Sequence, residues 1–365
     1  MTAMVIDADT HIAESEAMWE LMDKDMYDRR PVVVQTPRDT WYRDFNAMWL
    51  IDGNIFPKPM GKGSFRLITP SQAAGQQTRT DIQLGCRDLT NIPARLKDMD
   101  ELKVDVQVIY PTLFLVYLTD DVELEVALCK AYNRYLGQAY EASGGRLRWT
   151  AIPPLRSVPD TIEEMRWAKQ HGAVGLFFRG VEKDKTLDER YFYPVYEEAA
   201  GLGLPICIHT GAGAPAWTAI FRTETNTSFP HLRLLPLVAF NDILVNEIPG
   251  KFPGLKFAFV EAGSSWVPFL FHTLLRRVRD KRERYGPKLF EDNNIWVACE
   301  TDEDLPYLVE HVGEDHLIIG SDYGHNDPSE EPRMVDTMRA HEGLPSRVID
   351  KILGENAAQL YGIAV

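Results

Sequence analysis

Five side chains that can bind a metal ion stand at the ends of short apolar runs in this sequence. They are Asp9 and His11 in "DADTH", His209 in "CIHTG", Glu261 in "FVEAG" and Asp322 in "GSDYGH". Imidazole nitrogens and carboxylate oxygens are ligands that Zn²⁺, Mn²⁺ and Fe²⁺ take in proteins. Each residue alone is explained by a hydrogen bond in the core. Five at equivalent places predict a divalent metal site.

Eight short apolar runs, each followed by turn residues, predict eight β-strands. They span residues 4–11, 106–113, 147–154, 172–180, 204–211, 255–263, 294–300 and 316–324. Stretches with helical periodicity separate most of them, and this alternation is typical of parallel βαβ units. Eight units predict an α/β protein, a (β/α)8 TIM barrel, whose active site lies at the carboxyl ends of the strands. The five candidates all stand at those ends.

Residues 15–92 do not fit this repeat, because they separate the first two strands by far more than a crossover helix needs. We interpret them as an insertion into a single domain over residues 1–365, serving as a lid or as an interface segment. Five aromatic residues of this insertion and of the 211–230 loop are candidates for the pocket lining, although packing in the core or at an interface is the simpler interpretation. They are Trp41, Trp49, Phe56, Trp217 and Phe221.

The net charge of −15 argues against nucleic acid and anionic membranes as partners, since both repel a surface of their own sign. No run approaches the ~18 apolar residues of a membrane helix. The first residues lack the basic start and apolar core of a signal peptide, so we expect a cytoplasmic protein. The four cysteines are far apart and show no CxxC pairing, which predicts reduced thiols without a zinc or disulfide role.

Four further residues are weaker candidates. His325, in the loop above the last strand, is suited to orienting Asp322, binding substrate or holding a second metal ion; a surface position is the alternative. Arg179 at the end of the fourth strand can pair with a substrate carboxylate or form a structural ion pair. His231 begins a helix near the pocket mouth, and Glu14 follows the first strand, where it can support a ligand.

The strand-one Asp-x-His, His209 and the stretch "IIGSDYGHND" resemble the amidohydrolase superfamily. The stretch "NDILVNEIPGKFPGLKFAFVEAGSSWVPFLFHTLLRR" is similar to the branch that contains aminocarboxymuconate semialdehyde decarboxylase and related metal-dependent decarboxylases. The usual His-x-His reads Asp9-x-His11 here. The fourth strand ends without the lysine that bridges two metals in hydrolytic members. Glu261 stands where many members have a histidine that activates water.

The resemblance implies a non-oxidative decarboxylase of a small aromatic or unsaturated carboxylic acid. Asp9, His11, His209 and Asp322 would hold one Zn, Mn or Fe ion, and Asp322 would carry the proton. Arg179, His231 or His325 would anchor the substrate. Hydrolysis of an amide, lactone or ester, with Asp322 as base, is a competing hypothesis. The missing strand-six histidine weakens it unless Glu261 takes over that role.

Two other hypotheses remain open. Glu261 and His325 would bind a second ion beside the first, giving a pair of Fe or Mn ions that activates O₂ for hydroxylation. In the other hypothesis, this barrel is a non-catalytic subunit that supports a related active partner. The family further implies dimers or larger assemblies of identical chains. We rank the decarboxylase first.

Overall fold

Eight parallel strands form the barrel that the sequence predicts. This computed structural model describes residues 3–42, 47–58, 61, 62, 64, 82–222, 229–276, 286–325 and 329–364. The barrel strands are β1 (Ile6–Ile12), β2 (Val106–Pro111), β3 (Leu147–Ala151), β4 (Ala173–Phe178), β5 (Ile206–His209), β6 (Phe257–Val260), β7 (Ile295–Cys299) and β8 (Leu317–Ile319). Each strand pairs with the next in parallel. The predicted fold class is confirmed.

Helices follow the strands and cover the outside of the barrel. They span Ile92–Glu101, Val122–Ala142, Val158–Gln170, Tyr193–Leu202, Pro215–Thr218, Leu234–Val245, Ile248–Lys251, Val267–Leu275, Pro287–Asn293, Leu305–Val312, Met334–Arg339, Ser346–Asp350 and Asn356–Tyr361, with π-helical turns at Phe229–Arg233 and Lys351–Glu355. The strands are buried along nearly their whole length, which explains why they read as continuous apolar runs. The carboxyl ends of the strands are therefore where polar side chains gather.

The barrel closes between β1 and the segment after β8. The amide of Asp322 donates to Asp9 O at 3.0 Å, and the amide of His11 donates to Tyr323 O at 2.6 Å. Gly320 allows this approach, since a Cβ at that position would lie 2.2 Å from the Cβ of Asp9. Closure thus joins two of the four strand ends that carry metal-binding candidates.

The insertion differs from the irregular loop that its sequence indicates. It holds a short helix, Glu16–Trp19, and a three-stranded antiparallel sheet formed by Val32–Gln35, Ala47–Ile51 and Asn54–Phe56. Trp49 is buried and packs edge-on against Trp19 with ring centroids 6.0 Å apart, so it belongs to the core. Trp41 is 78% exposed. Residues 65–81 lie outside the described part, and a role as lid or interface stays a prediction.

Two expectations about the rest of the chain can be compared with the fold. Cys86, Cys129, Cys207 and Cys299 are all free, as the sequence predicts, and all four are buried. Among the residues described, none of the helices combines the length and the apolar character that crossing a membrane demands.

Candidate metal centre

The structure brings the five predicted metal-binding residues together with His325 at the carboxyl end of the barrel. They form two overlapping groups, and within each group the ligand atoms lie within 4.8 Å of one another. The first group is Asp9, His11, His209 and Glu261, and the second is His11, Glu261, Asp322 and His325. Residues from four different strand ends therefore converge on one small volume.

The backbone aims these side chains by three local devices. Asp9 and His11 are two residues apart on β1 and so project to the same side. The β1–β2 register shifts between Asp7 and Thr10, a bulge-like irregularity just before them. Glu261 follows β6 with φ +57° and Asp322 follows β8 with φ +54°, both in the left-handed region. For residues other than glycine this conformation costs about 1–2 kcal/mol and is concentrated at functional sites.

The imidazoles are fixed with Nε2 toward the centre. His11 Nδ1 lies 3.0 Å from Pro111 O, and His209 Nδ1 lies 2.7 Å from Thr210 O. A proton on each Nδ1 donates to that carbonyl, which leaves Nε2 to face the other ligand atoms. The ring of His325 stacks on that of His11 at a centroid distance of 3.7 Å. His11 and His209 therefore have the arrangement of histidines that bind a metal through Nε2.

Three ligand atoms at the centre are buried and form no hydrogen bond of regular geometry in the described part of the chain, although other ligands of the centre lie close to them. They are His11 Nε2, Glu261 Oε2 and Asp322 Oδ1. His11 Nε2 lies 3.3 Å from Asp322 Oδ1 and 3.8 Å from Glu261 Oε2. Leaving such groups unsatisfied costs about 1–3 kcal/mol each, so native proteins rarely do it without reason. One divalent cation between them would satisfy all three, and the donor set fits such an ion.

The pKa values of the side chains in the metal-free centre also favour a cation site. Burial, with the nearby Asp322, raises the pKa of Glu261 to about 8. Burial opposes a charge on His209, yet the Glu261 and Asp9 carboxylates raise its pKa to about 9. Burial and His325 lower the pKa of His11 to about 4. The metal-free centre thus holds protons near neutral pH that a cation would displace on binding.

A cavity of about 410 Å³ opens beside these residues, a size suited to a small ligand. Besides Asp9, Glu261 and Asp322, its charged lining residues are Arg233, Glu300, Asp302, Glu330 and Glu331. Our sequence reasoning missed all five. Glu300 follows β7 directly, so the strand-end rule that selected the other candidates would have found it.

Of the predicted substrate-binding residues, Arg179 already has partners within the protein. Arg179 is buried, and its Nη2 pairs with Glu182 Oε2 at 2.8 Å while Nη1 donates to Phe114 O at 3.1 Å. The structure therefore supplies the ion pair that was the alternative interpretation, and substrate binding by Arg179 stays a prediction. The side chain of His231 lies outside the described part of the structure.

Glu14 supports the centre indirectly, by holding the backbone that follows β2. Its buried carboxylate accepts the amides of Thr112 at 3.0 Å and Leu113 at 2.9 Å. These residues follow Pro111, whose carbonyl contacts His11. Glu14 thus holds the end of β2 in the position that orients the His11 ring.

Comparison with known proteins shows the family. A family model described as amidohydrolase matches residues 6–363, so the chain belongs to the amidohydrolase family and the resemblance is confirmed. One relative, 2-amino-3-carboxymuconate-6-semialdehyde decarboxylase from Dictyostelium discoideum, is 21% identical over 284 residues, which cover 74% of this chain and 76% of the relative.

Solved structures share the fold over the whole chain. An amidohydrolase from Mycobacterium avium subsp. paratuberculosis superposes with a TM-score of 0.77 at 21% identity, covering 100% of this chain and 99% of the other. A manganese complex of 5-carboxyvanillate decarboxylase from Novosphingobium aromaticivorans gives a TM-score of 0.68 at 17% identity, covering 99% and 96%. At these identities the likeness shows the fold alone.

Proposed function

We propose that this amidohydrolase-family chain is a metal-dependent, non-oxidative decarboxylase of a small aromatic or unsaturated carboxylic acid. The observation that carries the proposal is the set of orphaned buried atoms on His11, Glu261 and Asp322 beside a cavity of ligand size. Two of the similar proteins named above are decarboxylases, one of them a manganese complex, which supports the same chemistry.

The ligand set proposed for one Zn, Mn or Fe ion is Asp9, His11, His209 and Asp322. It draws on both groups of ligands, and the Glu261 carboxylate, which belongs to both, would face the same ion. Such an ion, when bound, stabilises negative charge that develops on substrate oxygens. The fixed imidazoles and the rigid strand ends hold these residues in place before substrate arrives. All four side chains are almost completely buried, which limits the entry of water.

The proton is delivered by Asp322 together with His325. In decarboxylation the bond from carbon to the carboxylate breaks, CO₂ leaves, and the electron pair left on carbon takes a proton. His325 Nδ1 lies 2.7 Å from Asp322 Oδ1. Burial alone would raise the pKa of Asp322, but the positive charge of nearby His325 holds it below its usual range. A proton on His325 Nδ1, shared with Asp322, is thus the one available to the carbon.

The test combines metal content with CO₂ release. Elemental mass spectrometry on protein purified without chelators should find one ion per chain, and a screen of aromatic and unsaturated acids should find one that releases CO₂. His325→Gln should keep the ion and lose CO₂ release. His311→Gln, at a half-buried position on the helix Leu305–Val312 and outside both groups of ligands, should keep both. An ion-loaded protein that releases CO₂ from none of these acids contradicts the proposal.

A binuclear Fe or Mn centre that activates O₂ is the second candidate, and one feature of Glu261 favours it. Its Oε2 lies 3.0 Å from His209 Nε2, while its Oε1 lies 3.9 Å from His325 Nδ1. Each carboxylate oxygen thus faces a different imidazole, as in a carboxylate that bridges two ions. His11 and Glu261 are also shared by both groups of ligands.

Metal stoichiometry separates the two candidates. Two ions per chain with Fe among them, and O₂ consumption with an added reductant, would favour the hydroxylase. Glu261→Gln should then reduce the content to one ion. One Zn or Mn ion per chain without O₂ consumption contradicts it. Hydrolysis and a non-catalytic supporting role stay predictions.

A further inference from the structure

Arg233 lies where the metal-site cavity meets a second cavity of about 460 Å³. Gly263, Glu300 and Asp302 line both cavities, so the two are contiguous along this wall. Arg233 ends the π-helical turn Phe229–Arg233 that precedes the helix Leu234–Val245. A ligand that spans both cavities therefore passes this guanidinium.

The charges around the inner cavity make Arg233 stand out. Seven carboxylates line this cavity, and in the part of the chain that the structure describes Arg233 is the one positively charged residue among them. An anionic substrate is repelled by the acidic wall wherever no cation faces it. Under the proposed function, one carboxylate of the substrate lies at the metal centre. Any second anionic group needs another positive partner, and the lining offers this one.

Arg233 forms an ion pair with Glu300, and this pair is weak. Arg233 Nη1 lies 3.2 Å from Glu300 Oε1, with side chains 33% and 43% exposed. Ion pairs as exposed as this contribute little to stability, because water screens them. A guanidinium also binds a carboxylate through two parallel hydrogen bonds, a geometry that a substrate carboxylate can match. Glu300 is thus a partner that an incoming anion can replace.

We propose that Arg233 binds a second carboxylate of the substrate, remote from the one at the metal, and that Glu300 competes with the substrate for it. The preferred substrates are then dicarboxylic acids rather than monocarboxylic ones. The inference rests on the proposed function only for the placement of the first carboxylate.

Calorimetric titration of the Mn²⁺-loaded protein tests this without turnover. The probes are benzoate and the three benzenedicarboxylates, phthalate, isophthalate and terephthalate. We expect at least one dicarboxylate to bind at least tenfold more tightly than benzoate. Arg233→Gln should remove this preference while changing benzoate affinity less than twofold, and Arg233→Lys should restore part of it. Glu300→Gln should tighten the dicarboxylate severalfold and benzoate much less. Loss of a negative charge without competition for Arg233 would tighten all four anions alike.

The pair Arg339–Asp350 provides the matched control. Its atoms lie 3.1 Å apart, with side chains 38% and 34% exposed, and neither residue lines these cavities. Arg339→Gln and Asp350→Asn should leave the affinities of all four probes unchanged. The assignment is wrong if no dicarboxylate binds more tightly than benzoate, if Arg233→Gln weakens all probes equally, or if Glu300→Gln weakens the dicarboxylate.

The two proposals fail in different ways. Dicarboxylate preference that depends on Arg233, in a protein that releases CO₂ from no acid, overturns the decarboxylase and keeps the role of Arg233. If the protein releases CO₂ from an acid but Arg233→Gln leaves dicarboxylate affinity unchanged, the role of Arg233 is overturned and the decarboxylase is kept.

Discussion

Replacing Glu261 by glutamine should raise the free energy of unfolding of the metal-free protein and reduce the stability that the protein gains from binding the metal ion. The glutamine has nearly the same shape as the protonated carboxyl but cannot ionise. In the metal-free protein the wild-type carboxyl is buried near the Asp322 and Asp9 carboxylates, and this disfavours a negative charge more than His209 and His325 favour it. With a cation present, the same charge becomes favourable.

The pKa of Glu261 sets the size of the effect. In the unfolded chain this carboxyl ionises near 4.5, whereas in the folded metal-free protein it keeps its proton to about pH 8. Between these values unfolding releases a proton, so the folded state loses stability as the pH rises. The loss is about 1.4 kcal/mol per pH unit and reaches about 3 kcal/mol at pH 7. The variant E261Q escapes it.

Urea unfolding of chelator-treated protein at pH 5 and pH 7 measures the difference. The free energies of unfolding of wild type and E261Q should be close at pH 5 and should diverge toward pH 7, with the variant more stable. Free Mn²⁺ at a hundredfold excess over its Kd should stabilise the wild type by about 2.7 kcal/mol. E261Q, which binds the ion more weakly, should gain less.

Glu164→Gln is the matched control. Glu164 is also fully buried, but it pairs with Arg134 at 2.7 Å. It lies on the helix Val158–Gln170 and belongs to neither group of ligands. Removing that charge should destabilise the protein at both pH values by about 3 kcal/mol and leave the response to Mn²⁺ unchanged. If E261Q is less stable than the wild type at pH 7 without metal, the reasoning about the buried carboxyl is refuted.

Two further predictions concern the centre and its closure. His11→Ala and His209→Ala should strongly lower the metal content but should change the free energy of unfolding of the metal-free protein only slightly. Full metal content in both variants, measured by elemental mass spectrometry, would contradict the ligand assignment. Gly320→Ala should destabilise the protein by about 1–3 kcal/mol and weaken metal binding, because its Cβ meets Asp9. Gly201→Ala, in a helix with open space around it, should be slightly stabilising in the same urea titration.

The barrel and the centre could be predicted because both depend on local pattern. Buried parallel strands read as apolar runs, and the topology of the barrel then places every strand end at one rim. Asp9, His209 and Asp322 needed no knowledge of packing beyond that rule. The antiparallel sheet in the insertion escaped prediction, since its strands are only three to five residues long and show no sustained alternation.

The cavity wall could not be predicted as fully. Arg233 lies in a helical turn rather than at a strand end, so its position depends on how that helix packs over the barrel mouth. Arg179 stands at a strand end like the metal-binding candidates. Its side chain is taken up by Glu182, an acid three residues later whose position is set by the hairpin that follows β4. Strand-end position alone does not distinguish the two outcomes.

The left-handed backbone at Glu261 and Asp322 gives a way to trace the history of this centre. Glycine or asparagine adopts that conformation with less strain, so a chain released from metal binding would gain stability by changing either residue. Drift at these two positions should therefore come early in relatives that have lost the ion. Glutamate and aspartate kept at both, against the local preference of the backbone, would mark the relatives that still use it.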